Sequence, residues 1–273
     1  MGINLGPEHY QRQVHQVLDN QEGAVCIADD IIFFGRGTAD HDKHLDRTLK
    51  RLSDANITLN KQKCEFRKPE INVVGHIVGK DGVKADPEKV RVIQELPEPT
   101  NITELRSFLG MVNQLGKFLP DLSAITEPLR SLLSTKTIWH WDQPQSQAFG
   151  KVKQLVSVTP VLSLYDPMKP TKVSADSSSY GLGAVLLQLG DDKHWHPVCF
   201  ASRSLSETET RYAQVEKEAL ASTYACEKFS KYLTGLAMFT LETDHKPLVA
   251  LLGGKALDEL PPRLQCMRMR LMR

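Results

Sequence analysis

Apolar residues along the chain change period several times. Two short apolar runs, Ala24 to Ala28 and Ile31 to Phe34, flank the adjacent acids Asp29 and Asp30. Their length and their β-branched and aromatic content predict a tight hairpin with both carboxylates at its bend. Leu45, Leu49 and Leu52 then repeat at helical spacing, with Thr38 or Asp40 as the expected cap, and Asn56 to Asn60 reads as a short strand. Asp86-Pro87-Glu88 is a helix start, with Asp as the cap and Pro in the first turn; Val90, Ile93 and Leu96 supply its apolar face until Pro97 and Pro99 end it. Asn101 followed by Glu104 predicts a second cap, and Ile102, Leu105, Leu109, Val112 and Leu115 continue the helical spacing. Pro128 to Leu133 and Gln145 to Val156 complete a mainly α stretch from 86 to 158.

After Pro160 the pattern becomes that of strands. Lys172 to Asp176, Ala184 to Gln188 and Pro197 to Ser202 predict three of them, followed by a long helix from about Thr208 to Leu233. Phe239 to Asp244 is a fourth strand and Pro247 to Leu252 a short helix. The order β-β-β-α-β-α makes this an α/β layered domain rather than a doubly wound nucleotide fold.

Composition narrows the reading in three ways. The net charge is +1, so any nucleic-acid binding must come from local patches such as Lys61, Lys63, Arg67 and Lys68, a cluster that also suits an ordinary solvated loop. No apolar run approaches the roughly 18 residues of a membrane span, and the first residues carry no targeting signal. Five scattered cysteines without a C-x-x-C pair argue against a disulfide framework and a zinc site, so a reduced intracellular compartment, cytoplasm or nucleus, is expected.

Three acids stand where a solvated surface would not favour them. Asp176 and Asp244 each end a predicted strand, and Glu218 shares a helix face with Val215, Ser222, Ala225 and Phe229, the stripe that should pack on the sheet. Converging carboxylates without a basic neighbour suit a hard cation, Mg²⁺ or Mn²⁺. Spacing alone leaves open that the two Asp residues merely cap turns and that the Glu is solvated. Asp29 and Asp30 admit the same pair of readings, a metal role or an ordinary turn. His41, His44, His194 and His196 read as surface residues rather than ligand pairs.

At these residues the sequence resembles the Pol polyprotein of gypsy-type LTR retrotransposons, over nearly the whole chain. Gly2-Ile3-Asn4 to Gln11 resembles a palm segment, and Ile27-Ala28-Asp29-Asp30-Ile31-Ile32 resembles the Y-x-D-D-I polymerase motif with Ile27 in place of Tyr. Lys63-Cys64-Glu65-Phe66 and Val74-Gly75-His76 resemble the K-C-x-F and L-G-H signatures, and Leu105-Arg106-Ser107-Phe108-Leu109-Gly110 resembles the thumb helix. That helix then departs from the family's N-Y-Y-R-R-F, reading Asn113-Gln114-Leu115-Gly116-Lys117-Phe118. Ala175-Asp176-Ser177-Ser178, Gly181 to Gln188, Phe200 to Leu205, Tyr212 to Ala221 and Thr243 to Leu248 resemble the RNase H domain in order.

The resemblance implies an α/β fold with a partial reverse-transcriptase palm hairpin in 1–82, helical thumb and connection in 83–160, and an RNase H-like domain in 161–273 that is truncated at its C-terminus. It implies Asp176, Glu218 and Asp244 as catalytic acids binding Mg²⁺ or Mn²⁺, and Asp29 and Asp30 as polymerase metal ligands. Two-metal hydrolysis of the RNA in an RNA–DNA hybrid is the expected reaction, with Asp176 bridging. Primer and template are further expected partners. The family's third polymerase acid and fourth RNase H acid fall outside these residues, so polymerase activity is not expected of them and RNase H activity is expected to be weak. A catalytically inactive nucleic-acid-binding relic and a domesticated scaffold protein remain alternatives at this point.

Overall fold

The computed structural model describes residues 6–27, 30–135 and 137–272. Ala28 and Asp29 of the hairpin, and Gly2-Ile3-Asn4 of the palm segment, lie outside them. The chain divides into two compact units, Met1–Lys68 and Pro69–Arg273.

In the first unit α1 (Gly6–Leu18) precedes β1 (Ala24–Ile27) and β2 (Asp30–Phe33), which pair antiparallel with Ile27 opposite Asp30, the expected hairpin. α2 (Thr38–Asp54) follows, and Val14, Leu18, Cys26 and Leu52 form the core. The Arg51 guanidinium donates to the Asp19 and Val17 carbonyls at 3.0 and 3.4 Å, satisfying acceptors that the end of α1 leaves open. Neither Thr38 nor Asp40 caps α2. Gly37 holds the cap position at φ 100, and the Asp40 carboxylate reaches past it to accept the Arg36 N–H at 2.9 Å. No strand forms at Asn56 to Asn60 either. Asn56 takes a left-handed φ of 57, the Ile57 N–H turns back to the Leu52 carbonyl at 2.8 Å, and the Asn60 side chain accepts from Gln62 to start a single 3-10 turn.

The second unit begins with an antiparallel meander of β3 (Glu70–Val73), β4 (His76–Gly79) and β5 (Gly82–Ala85). Then come α3 (Pro87–Glu95), α4 (Ile102–Gln114), α5 (Leu122–Ile125), α6 (Glu127–Arg130) and α7 (Gln143–Ser157). Both expected caps are present: Asp86 accepts from the Glu88 N–H at 3.0 Å, Asn101 from Glu104 at 3.0 Å, and Glu104 returns to the Thr100 N–H at 2.8 Å. Leu105, Phe108, Val112, Phe118, Leu129 and Val152 are part of one apolar cluster. Leu162 ties the meander to the following chain, exchanging backbone hydrogen bonds with Val83 at 2.7 and 2.9 Å. Gly82, at φ +130, makes this approach possible, because a Cβ there would stand 2.1 Å from the Leu162 carbonyl oxygen. Gly82→Ala is therefore expected to destabilise the protein by about 2–3 kcal/mol in chemical denaturation; a loss under about 0.5 kcal/mol would contradict this packing.

A four-stranded sheet completes the unit: β6 (Thr171–Ser177), β7 (Gly181–Leu189), β8 (Trp195–Ser204) and, after α8 (Gln214–Lys228) and α9 (Ser230–Leu233), β9 (Thr240–Glu242). The spatial order is β8-β7-β6-β9, with β9 parallel to β6. α10 (Lys246–Gly253) and α11 (Pro262–Leu271) close the chain, and the expected β-β-β-α-β-α order holds through α10. Val173, Ala175, Leu186, Ala219, Ala225 and Phe229 belong to the core beneath the sheet.

The long helix is shorter than expected at both ends. Residues 206–212 instead form a turn gripped by Arg203, whose guanidinium binds Glu209 at 2.7 and 2.8 Å, and Tyr212 turns extended at ψ 149. α8 and α9 part at Phe229, where ψ is 11. The Arg203 hydrogen bond is the main cause that lowers the Glu209 carboxyl from the ordinary 4.5 to about 2. The unfolded chain thus binds the proton first as pH falls, so this pair's contribution is whole above about pH 4.5 and is lost on acidification towards pH 2. Between those limits the wild type should lose more stability than Glu209→Gln, and parallel stability curves would refute the assignment.

Candidate metal centre

The sheet leaves a notch beside β6. β9 pairs with β6 only from Lys172 to Ser174, so Asp176 has β7 on one flank, where it faces Gly183, and no strand on the other. Asp244 follows β9 by two residues at that open flank, and Glu218 comes from the second turn of α8. One carboxylate oxygen from each of Asp176, Glu218 and Asp244 lies within 4.8 Å of the other two. The three acids singled out by strand ends and helix stripe thus converge, and among the described residues they are the group of acids, histidines or cysteines close enough to share a metal ion.

Their surroundings suit a hard cation. Asp176 and Asp244 are exposed, whereas Glu218 is 3% exposed. Its Oε1 accepts from Ser177 Oγ at 2.7 Å and Gln214 Nε2 at 2.6 Å, while its buried Oε2 has no hydrogen-bond partner. A carboxylate oxygen withdrawn from water and left unpaired is costly, and like charges at this separation add repulsion. A divalent cation removes both costs. Partial burial raises the Asp176 carboxyl from its ordinary value; the Ser177 N–H, at 2.8 Å, opposes this, and the Asp244 and Asp121 charges add to it. No basic side chain enters that balance. An all-oxygen donor set of this kind fits Mg²⁺ or Mn²⁺.

Two supporting residues were not singled out by sequence. Gln214 precedes Glu218 by one turn, an i, i+4 relation that identifies the contact once the helix register is known. Ser177 directly follows Asp176, and its alternate orientation in the strand sends Oγ towards α8.

Asp30 is exposed at the first residue of β2 and joins no such group among the described residues; Asp29 lies outside them. His41 bonds Asp42 at 3.0 Å, His44 Nδ1 donates to the Phe34 carbonyl at 2.9 Å, and His196 meets Asp192 at 2.9 Å; of the four, His194 is exposed and the other three are half-buried. Lys61, Lys63, Arg67 and Lys68 are all exposed, and Arg67 is engaged by Asp42 at 2.7 Å.

Two family descriptions match the sequence. Residues 1–78 match reverse transcriptase (RNA-dependent DNA polymerase), and residues 141–241 match the RNase H-like domain found in reverse transcriptase. The retrovirus-related Pol polyprotein from transposon opus of Drosophila melanogaster is 35% identical over 267 residues, covering 93% of this chain. The corresponding polyprotein from transposon gypsy of the same species is 36% identical over 261 residues, or 90% of the chain. The chain is a homologue of the Pol polyproteins of gypsy-type retrotransposons.

The chain spans about a quarter of those relatives' length, 26% and 25%. Its fold is that of foamy viral protease-reverse transcriptase: the structure in complex with RNA/DNA hybrid superposes with a TM-score of 0.82 at 22% identity, covering 97% of this chain and 36% of that one. Asp29 and Asp30 fall within the reverse-transcriptase match, Asp176 and Glu218 within the RNase H-like match, and Asp244 three residues beyond it. Among the described residues no helix is long and apolar enough to cross a membrane.

Proposed function

We propose that this chain carries the ribonuclease H centre of a retrotransposon reverse transcriptase, hydrolysing the RNA strand of RNA–DNA hybrids at Asp176, Glu218 and Asp244 with Mg²⁺ or Mn²⁺. The observation that carries the reading is the convergence of one oxygen from each of three carboxylates within 4.8 Å, one of them Glu218, whose buried Oε2 has no hydrogen-bond partner. A bound divalent cation there supplies an acidified water and charge neutralisation at the scissile phosphate. The chain's own residues prepare the site for it. Ser177 and Gln214 hold one Glu218 oxygen and leave the other for the ion, while the Ser177 N–H fixes one Asp176 oxygen. Asp176 stands between β7 and the open flank that Asp244 borders.

Domain limits at 1–82, 83–160 and 161–273 are proposed with this reading; the separate apolar clusters of the helical stretch and of the sheet support the second limit, whereas the first falls within β5 and the compact units part at Lys68. The experiment is incubation of the purified chain with Mg²⁺ and an RNA strand labelled within an RNA–DNA hybrid. Cleavage of hybridised RNA only, abolished by chelation, is expected. Hybrid binding without cleavage would mark a non-catalytic nucleic-acid-binding protein, and neither signal a scaffold.

Asp29 and Asp30 are proposed as ligands for polymerase metals at a primer–template, supported by their place in the I-A-D-D-I stretch. In a longer Pol protein that polymerises, template-directed nucleotide incorporation should fall to background on Asp30→Asn; incorporation that survives the substitution would remove Asp30 from that role.

A further inference from the structure

The segment before α5 brings a fourth carboxylate to the sheet beside Asp176. Asp121 holds the cap position of α5 in the left-handed region, at φ 51 and ψ 23, yet its side chain makes no capping bond. An Asp at a helix start ordinarily accepts an N–H of the first turn. Here the side chain lies over β7 instead. Its Oδ1 is 3.0 Å from where a Cβ on Gly183 would stand, and Gly183 is the residue paired directly with Asp176. Directly paired residues project to the same face of a sheet with Cβ positions about 4.5–5.5 Å apart, so Asp121 fills the missing side chain's place next to Asp176.

The docking that puts it there is specific. Ser123 donates its N–H to Ser202 Oγ at 3.1 Å, and its Oγ would lie 2.5 Å from a Cβ on Gly181. Gly181 and Gly183, two apart on one strand, therefore admit Ser123 and Asp121 respectively. The glycines leave room for the segment; Ser123 anchors it.

A cluster of acids gains meaning only with an independent sign of a ligand, and Glu218 provides one, its Oε2 unpartnered in a side chain that is 3% exposed. Asp121 is not among the acids that meet within 4.8 Å, so it cannot share their direct coordination in this arrangement. Mg²⁺ retains several of its waters when protein-bound, and those waters need acceptors.

We infer that Asp121 is a positioning residue of this centre, a carboxylate that accepts hydrogen bonds from the water shell of a divalent cation held by Asp176. This rests on the reading of Asp176, Glu218 and Asp244 as a metal site. Loss of such an outer partner weakens metal binding by roughly 10–100-fold.

Mn²⁺ binding, read from the paramagnetic signal of the free ion, tests it without relying on activity. Asn and Gly both tolerate the left-handed conformation, so Asp121→Asn and Asp121→Gly should fold, with melting in the absence of metal as the check. Both are expected to weaken Mn²⁺ binding about tenfold or more, and Asp176→Asn to remove it. Undiminished Mn²⁺ binding by folded Asp121→Asn or Asp121→Gly, with Asp176→Asn inactive in binding, would overturn this inference alone. Absence of binding by the wild type, or its persistence in Asp176→Asn, would overturn the underlying metal-site reading and this inference with it.

Discussion

Asp176→Asn is expected to lower hybrid cleavage more than about 100-fold, beyond the upper end of what loss of an outer metal partner costs. The substituted amide keeps the size of the side chain and its one acceptor for the Ser177 N–H, but it removes a charge from a group whose carboxylate oxygens meet within 4.8 Å. Two effects on stability should accompany the loss. Without metal the variant should melt slightly higher, because repulsion with Asp244 and Asp121 is relieved. With metal the order should reverse: a cation at 100 times its Kd stabilises the wild type by about 2.7 kcal/mol, and the variant gains little. Calorimetric melting with and without Mg²⁺ reads both, and an equal Mg²⁺-induced shift in the two proteins would contradict the assignment.

Phe229→Ala should have the largest effect on stability. Its ring is 1% exposed and sits at the break between α8 and α9, within the cluster that joins helix to sheet. Truncating a buried Phe costs about 3–5 kcal/mol through lost burial and the cavity left behind. Because α8 carries Glu218, the Mg²⁺-induced melting shift should weaken along with the fold. A denaturation midpoint shifted by the equivalent of less than about 1 kcal/mol would mean that the α8 to sheet contact does not depend on this ring.

The candidate centre was legible because its acids break local rules. Asp176 and Asp244 end the strands expected from sequence, and Glu218 interrupts a largely apolar helix stripe, so each is noticeable in the sequence, although spacing alone leaves turn-capping and solvated roles open. The helices after Asp86 and Asn101 were legible from cap chemistry alone. What escaped depends on contacts distant in sequence or on weak periodicity. α1 offers Val14, Val17 and Leu18 amid polar residues, and α11 buries only Leu264 and Met267, so neither helix stands out as an apolar stripe. The start of α8 moved from Thr208 to Gln214 because Arg203, on the preceding strand, captures Glu209. Asn56 to Asn60 failed as a strand because a left-handed Asn56 and a self-capping Asn60 satisfy the chain locally. Asp121 lies 55 positions before Asp176 in the numbering, and only the paired glycines of β7 reveal why the two are neighbours.

Anomalous scattering from a crystal of the wild-type chain equilibrated with Mn²⁺ tests the metal centre most directly. The account predicts an anomalous peak in the notch, with oxygens of Asp176, Glu218 and Asp244 at about 2.0–2.6 Å and the formerly unpartnered Glu218 Oε2 among them. Saturating Mn²⁺ with no peak there, or a peak that leaves Glu218 Oε2 unengaged, would contradict it.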